Sequence, residues 1–314
     1  MILKKNLFGK NNNLSLINFN NKLAIKKKYA QNFITKYSRY HTEFFFLNTL
    51  RKNKIFNVSN ILFNDKKNLY LIFEIIKGKK IKKVSRDDIK ECLKFLKKIN
   101  SKKVKKHFIN FQKASDSCLS YEEHITCVEK RIISLLKTKS RSNSSLKIKK
   151  FLKKTLFKKF LELKDTLEKK YSKKKLKKKL SNNEIIVSPS DFGFHNIIKN
   201  KKKLFFIDFE YGGLDDPIKL LCDFLCNPDY KITKADQEYF KKKYFKLFYY
   251  KNIEEKFNLL FNFHKLKWCT MLLNDLISKK YQKRRFFAGQ ERNNLNLERK
   301  FKIAKIYYFN FFSK

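Results

Sequence analysis

The stretch that most constrains this chain runs from Val187 to Asp223, VSPSDFGFHNIIKNKKKLFFIDFEYGGLDDPIKLLCD. Ile185 to Val187 reads as a short apolar strand and Ser188 to His195 as a loop. Asn196 to Ile198 and Leu204 to Asp208 read as two strands around the polar turn Asn200 to Lys203. Strands joined in this way form a hairpin, in which the start of the first lies beside the end of the second. Asn196 and Asp208 then offer oxygens to one hard cation, while Asp191, five positions before Asn196, stays free on the loop. Glu210 stands two residues beyond Asp208, so the pleat of a strand puts both on one face.

A free carboxylate, a carboxamide and a second carboxylate are what phosphoryl transfer requires. Mg²⁺ takes oxygen ligands and keeps phosphate oxygens in its shell, and a separate carboxylate orients the attacking hydroxyl. The spacing D, four residues, N, then a hydrophobic strand ending in D is that of the kinase catalytic loop and its metal aspartate. The segment resembles the aminoglycoside phosphotransferase and choline kinase group of small-molecule kinases, whose pattern is HGD, four residues, N, then IDxE and later DP. SPSDFGFHN with IDFEYGGLDDPIKLLCDF looks closest to a bacterial phosphotransferase branch, and IDFEY is also how choline and ethanolamine kinases write the metal strand. Two departures stand out. Pro189, Ser190 and Asp191 occupy the HGD positions, so the usual histidine is absent, and the acid after DP comes at Asp223, with Leu220 in the expected place.

The resemblance implies an α+β, protein-kinase-like bilobal fold. A small N-terminal antiparallel β lobe with one helix (1–77) binds the nucleotide, and a larger, mainly helical C-terminal lobe (78–314) holds the catalytic and substrate-binding groups. It implies ATP and Mg²⁺ as cofactors, Asp191 as the residue that accepts or orients the acceptor's proton, and Asn196 and Asp208 as metal ligands with Glu210 as a further one. Gly9, Asn11 and Asn12 lie in a segment similar to the GRNN loop over the nucleotide. LAIK at Leu23 to Lys26 resembles the VAIK strand whose lysine holds phosphates. Alternation puts Lys26 and Lys28 on one face and Lys27 on the other; the family match favours Lys26, held by Glu43 on a helix read from Thr35 to Leu50.

Elsewhere the chain reads as follows. Asn20 and Asn21 suit a tight hairpin turn. Ile61 to Phe63 and Leu69 to Ile76 complete a small sheet, and EIIKG looks like the hinge, where the backbone of Ile75 to Lys77 would meet adenine. Ser85 with Asp88 makes a capping box, and Tyr121 to Leu135 has helical spacing with Glu122, Glu123 and His124 as its polar face. Leu146 to Leu180 is a lysine-laced helical region. Helices follow around Pro217 to Cys226, Ala235 to Tyr250, Glu254 to Ile277 and Leu295 to Phe311. His195 and Trp268 read as packing residues, Asp215 and Asp216 as helix caps, and Lys283 to Phe287 with Arg292 as a basic, aromatic patch.

Only eight positions separate Asp208 from Asp216, too few for the activation segment on which protein kinases dock peptides. The acceptor expected is therefore a small-molecule hydroxyl: a sugar, amino sugar or amino alcohol. The formal net charge of +48 suits a polyanion binder. The lysines are nonetheless scattered, and scarce Gly, Pro and Ala beside abundant Lys, Asn, Ile and Phe mark an A- and T-rich coding bias, so no specific nucleic-acid partner is expected. The six cysteines form no CxxC pair. With no apolar signal core and no transmembrane segment in the sequence, a cytoplasmic protein is expected. Two other readings stay open: a catalytically inactive kinase-like nucleotide-binding scaffold, for which the missing histidine speaks, and a basic polyanion-binding protein.

Overall fold

Asn20 and Asn21 take positive φ angles of 50° and 59°, the twist a two-residue hairpin turn needs to bring its strands together. The computed structural model describes residues 5–7, 12–29, 38–139, 142–276 and 294–312. Strands β1 (Lys5–Leu7), β2 (Asn13–Phe19), β3 (Lys22–Lys28), β4 (Ile61–Asp65) and β5 (Tyr70–Glu74) form one antiparallel sheet in the order β1-β2-β3-β5-β4. Helix α1 (Arg39–Lys52) lies between β3 and β4 in sequence and starts at Ser38, whose hydroxyl accepts the His41 N–H. The expected start at Thr35 falls outside the described residues.

After β5 the chain passes residues 75–78 and enters β6 (Lys79–Lys80), which already belongs to the second half of the molecule. β7 (Ile186–Ser188) pairs with β10 (Gly213–Asp215), while β8 (Ile197–Asn200) sits between β6 and β9 (Lys203–Phe206). The expected hairpin is present but shorter than read: β9 stops at Phe206, and Asp208 adopts φ 67°, which no strand residue does.

The remainder is helical. α2 (Arg86–Ile99) opens on the Ser85–Asp88 capping box and is followed by the short α3 (Lys102–Lys105) and by α4 (Tyr121–Leu136). A π-helical turn joins α5 (Asn143–Phe151) to α6 (Lys158–Lys170), and α7 (Lys173–Lys177) precedes β7. Past β10 come α8 (Pro217–Cys226), α9 (Lys234–Leu247), α10 (Ile253–Leu272) and α11 (Asn294–Phe312). Among the described residues no helix is long and apolar enough to cross a membrane.

Phenylalanines bind these pieces together. Phe95 of α2 stacks on Phe206 of β9 at 3.8 Å, and Phe46 of α1 stacks on Phe209 at 4.9 Å, so the N-terminal helix is packed directly on the segment that holds Asp208. Such pairs add about 0.5–1.5 kcal/mol each beyond the area they bury. Gly213 lets residues 112–114 run against β10: a Cβ there would lie 2.5 Å from the Gln112 carbonyl oxygen.

Candidate active site

The pleat of β3 decides which lysine enters the interior. Lys27 shares a face with Tyr29 and is buried, whereas Lys26 points the other way and its Nζ rests 3.7 Å over the Tyr70 ring. Lys27 Nζ lies 2.6 Å from Glu43 Oε2, 2.7 Å from Asp208 Oδ1 and 3.1 Å from Glu210 Oε2. The expectation of Lys26 is thus corrected by one residue. A one-residue shift along a strand exchanges its two faces, and motif wording cannot resolve that shift within a run of three lysines. The sequence signal that identifies Lys27 is Tyr29 two positions on, whose hydroxyl donates to Glu43 Oε2 at 2.6 Å.

Glu43 is positioned on the buried face of α1 and also accepts the Phe209 N–H at 3.2 Å. Burial pushes its carboxyl up to about 7 against the pull of Lys27. Burial alone would lower the lysine, but Asp208, Glu210 and Glu43 overcome it and hold Lys27 well above the ordinary lysine value, hence charged. Asp208 and Glu210 meet around a turn, since residues 207–212 are not a strand; the pleat argument for their shared face is replaced by the left-handed turn at Asp208. Asn12 donates through Nδ2 to Glu210 Oε2 while its own Oδ1 is buried without a partner. Gly9 and Asn11 lie outside the described residues.

One oxygen each of Glu43, Asp208 and Glu210 lies within 4.8 Å of the others. Three carboxylates around one ammonium, with Arg39 Nη1 at 3.8 Å from Glu210, leave an excess of negative charge. This donor set, all oxygen and with an orphaned Asn12 oxygen at its edge, fits a hard divalent cation. Asn196 is adjacent: its carbonyl accepts the Ile207 N–H at 3.1 Å, and its Nδ2 donates to the Asp191 carbonyl at 2.9 Å. That second bond ties the two ends of the loop from Asp191 to Asn196 together.

Asp191 sits at the mouth of this loop with its side chain 42% exposed. Asn227 Nδ2 donates to His195 Nδ1 at 3.2 Å, which leaves the ring proton on Nε2, 3.1 Å from Asp191 Oδ1. Burial works to raise the Asp191 carboxyl; the hydrogen bond from His195 outweighs it and keeps the group below the usual range, therefore ionised at neutral pH. Pro189 stands where the HGD pattern has its histidine, and where it has glycine stands Ser190. Its hydroxyl donates to the Ser115 carbonyl at 3.1 Å, Lys219 Nζ reaches it at 3.4 Å, and its own φ is 65°.

Beneath the loop lies a buried polar network that the sequence did not reveal. Asp216 caps α8 by accepting the Ile218 N–H at 2.7 Å, as expected, but its other oxygen takes Lys256 Nζ at 2.5 Å and faces His124 Nε2 at 3.1 Å. Asp215 accepts the Asp216 N–H at 2.9 Å and Lys219 Nζ at 3.0 Å. His124 is fully interior, which corrects its expected place on the polar face of α4; its Nδ1 lies 2.9 Å from His264 Nε2. Trp268 is buried as expected, yet its indole N–H donates to Asp223 at 3.0 Å.

The two imidazoles predict an acid response. Burial lowers both, His264 to about 3, while an unfolded histidine titrates near 6.5. Between those values the unfolded chain binds the extra proton, so stability is complete above about pH 6.5 and declines as pH falls. Thermal unfolding of wild type against His264→Gln is expected to show wild type losing about 1.4 kcal/mol per pH unit relative to the variant between pH 6 and 4. The opposite contribution of Glu43, whose raised pKa favours the folded state on acidification, cancels in this difference.

No protein-family model matches the sequence, and no curated protein does. Solved structures do match over nearly the whole chain. Choline kinase LicA from Streptococcus pneumoniae is 14% identical, with 99% of this chain and 93% of that one covered and a TM-score of 0.55. A choline/ethanolamine kinase family protein from Mesorhizobium loti is 13% identical over 97% and 87% of the two chains, TM-score 0.56. Spectinomycin phosphotransferase APH(9)-Ia, solved with ADP and spectinomycin, is 11% identical over 97% and 92%, TM-score 0.57. At these identities the likeness is one of fold, and the fold of this chain is the protein-kinase-like one that choline kinases and aminoglycoside phosphotransferases share.

Proposed function

We propose that this protein is an ATP- and Mg²⁺-dependent phosphotransferase that moves a γ-phosphate to a hydroxyl of a small molecule. The observation that carries the reading is the convergence of Lys27, Glu43, Asp208 and Glu210 next to the loop that holds the ionised Asp191, a loop joined to the chain before Asp208 through Asn196. Asp208 and Glu210, with Asn196 adjacent, would hold the metal, which when bound neutralises charge on the phosphates. Lys27, fixed by Glu43 and Tyr29, presents a permanent positive charge where the phosphates are to lie. Asp191 takes the acceptor's proton on its carboxylate, oriented by His195. The neighbours described above are kinases of choline and of spectinomycin, and both are hydroxyl compounds, which supports the acceptor class.

The test is transfer of labelled γ-phosphate to pools of sugars, polyols, amino sugars and amino alcohols. Transfer to at least one pool is expected, falling about 10²–10⁴-fold in Asp191→Ala. Transfer that survives in Asp191→Ala contradicts the assigned role, and Mg²⁺-dependent nucleotide binding without transfer to any pool supports the inactive scaffold instead.

A further inference from the structure

Resting on that kinase reading, we infer that the acceptor carries no positive charge: this site takes a neutral polyhydroxy compound, such as a sugar or polyol, in preference to its amino counterpart. In-line transfer places the attacking hydroxyl between Asp191 and the γ-phosphate, opposite the leaving nucleotide, so that the rest of the acceptor extends past Asp191. What lies there is set by α8. Asp223 lies in the last turn of α8, and Asn227 is the residue that ends the helix. Asn227 touches His195, which touches Asp191. Asp223 is near enough for its charge to act on Asp191. A cationic acceptor approaching Asp191 would look to Asp223 as its counter-ion.

Asp223 is already taken. Lys267 Nζ lies 2.7 Å from Oδ1 and 2.8 Å from Oδ2, Trp268 Nε1 donates to Oδ1 at 3.0 Å, and Lys219 Nζ stands 3.4 Å from Oδ2. Both oxygens are therefore engaged by groups that are themselves buried. The other carboxylates of this region are matched in the same way: Asp215 by Lys219, Asp216 by Lys256, Asp116 by Arg131. Asp229 is exposed and screened by solvent. Among the described residues, the buried carboxylates Asp215, Asp216 and Asp223 thus each have an internal cation. Bringing a further ammonium against Lys267 and Lys219 is a like-charge juxtaposition, which selects against that ligand. The net charge of +48 adds a field that attracts the nucleotide and slows cations.

The experiment compares matched pairs in which one hydroxyl is replaced by an ammonium group: glucose with glucosamine, galactose with galactosamine, ethylene glycol with ethanolamine. Mg²⁺-dependent nucleotide binding is first recorded in the same samples. Phosphoryl transfer and the rise in unfolding temperature with Mg²⁺ and a non-hydrolysable ATP analogue are then read for each member. In any pair that reacts, the neutral member is expected to have a kcat/KM at least about tenfold higher, equivalent to about 1.4 kcal/mol. Lys267→Met removes the cation that engages both Asp223 oxygens and is expected to shift that ratio by about tenfold toward the amine. A merely structural lysine would lower the unfolding temperature and leave the ratio unchanged. An amine that reacts or stabilises as well as its neutral partner in the wild type overturns the inference while leaving the kinase reading in place. Absence of Mg²⁺-dependent nucleotide binding in the wild type sinks the kinase reading, and the inference with it.

Discussion

Lys27→Met is expected to lower kcat/KM for phosphoryl transfer by about 10²–10³-fold, the loss typical of removing one preorganised charge from a transition state. Lys26→Met is expected to change it by less than about threefold, the scale of a surface substitution. The two residues are adjacent and chemically identical, so the contrast isolates geometry. Lys27 is buried against Glu43, Asp208 and Glu210, and its removal leaves their charges facing one another, with Arg39 3.8 Å from Glu210. Lys26 gives up a cation–π contact with Tyr70, worth about 0.5–1 kcal/mol at an exposed site. Steady-state kinetics on both variants, with thermal unfolding as a control, decide the point. Equal losses, or a greater loss in Lys26→Met, would show that the strand register has been misassigned.

The largest effect on stability is expected at Lys256. Its Nζ lies 2.5 Å from Asp216, whose side chain is inaccessible to solvent. Cutting the lysine to alanine strands a buried carboxylate, which costs about 3–5 kcal/mol. At roughly 2–4 °C per kcal/mol for a chain somewhat smaller than this one, the unfolding temperature falls by about 6–20 °C. The double variant Lys256→Met, Asp216→Asn removes both charges and keeps a good capping residue at the start of α8. It is expected to recover most of the loss, and a double variant no more stable than Lys256→Ala would show that the pair does not act as a unit. The contrast matters for function because Asp216 caps the helix that carries Asp223 and ends at Asn227, the partner of His195.

What could be read from the sequence was local. The Ser85–Asp88 capping box, the start of α8 at Pro217 and the Asn20–Asn21 turn each depend on residues within one turn of chain, and all three are present as read. The loop that holds Asp191 beside Asn196 was legible for the same reason, as its ends are five residues apart. What escaped the sequence was long-range or decided by parity. The partner of Asp223 stands 44 positions away at Lys267, and that of Asp216 is 40 away at Lys256. In a chain this rich in lysine, nothing local marks the few that fold inward. His124 was assigned to the solvent face because its neighbours Glu122 and Glu123 are polar, although its partners come from α8 and α10. Lys27 was missed because one strand position reverses the face while leaving the motif wording almost unchanged.

The account turns on whether the carboxylates around Lys27 hold a divalent cation that in turn holds a nucleotide. Calorimetric titration of a non-hydrolysable ATP analogue into the wild type and into Asp208→Asn, each with Mg²⁺ and with EDTA, measures this directly. The expected result is binding to the wild type that weakens at least about tenfold, or about 1.4 kcal/mol, when Mg²⁺ is withdrawn. The Mg²⁺ effect should be largely gone in Asp208→Asn. Binding that is the same with Mg²⁺ and with EDTA, or an undiminished Mg²⁺ effect in Asp208→Asn, would contradict the assignment of this cluster as the metal and phosphate site.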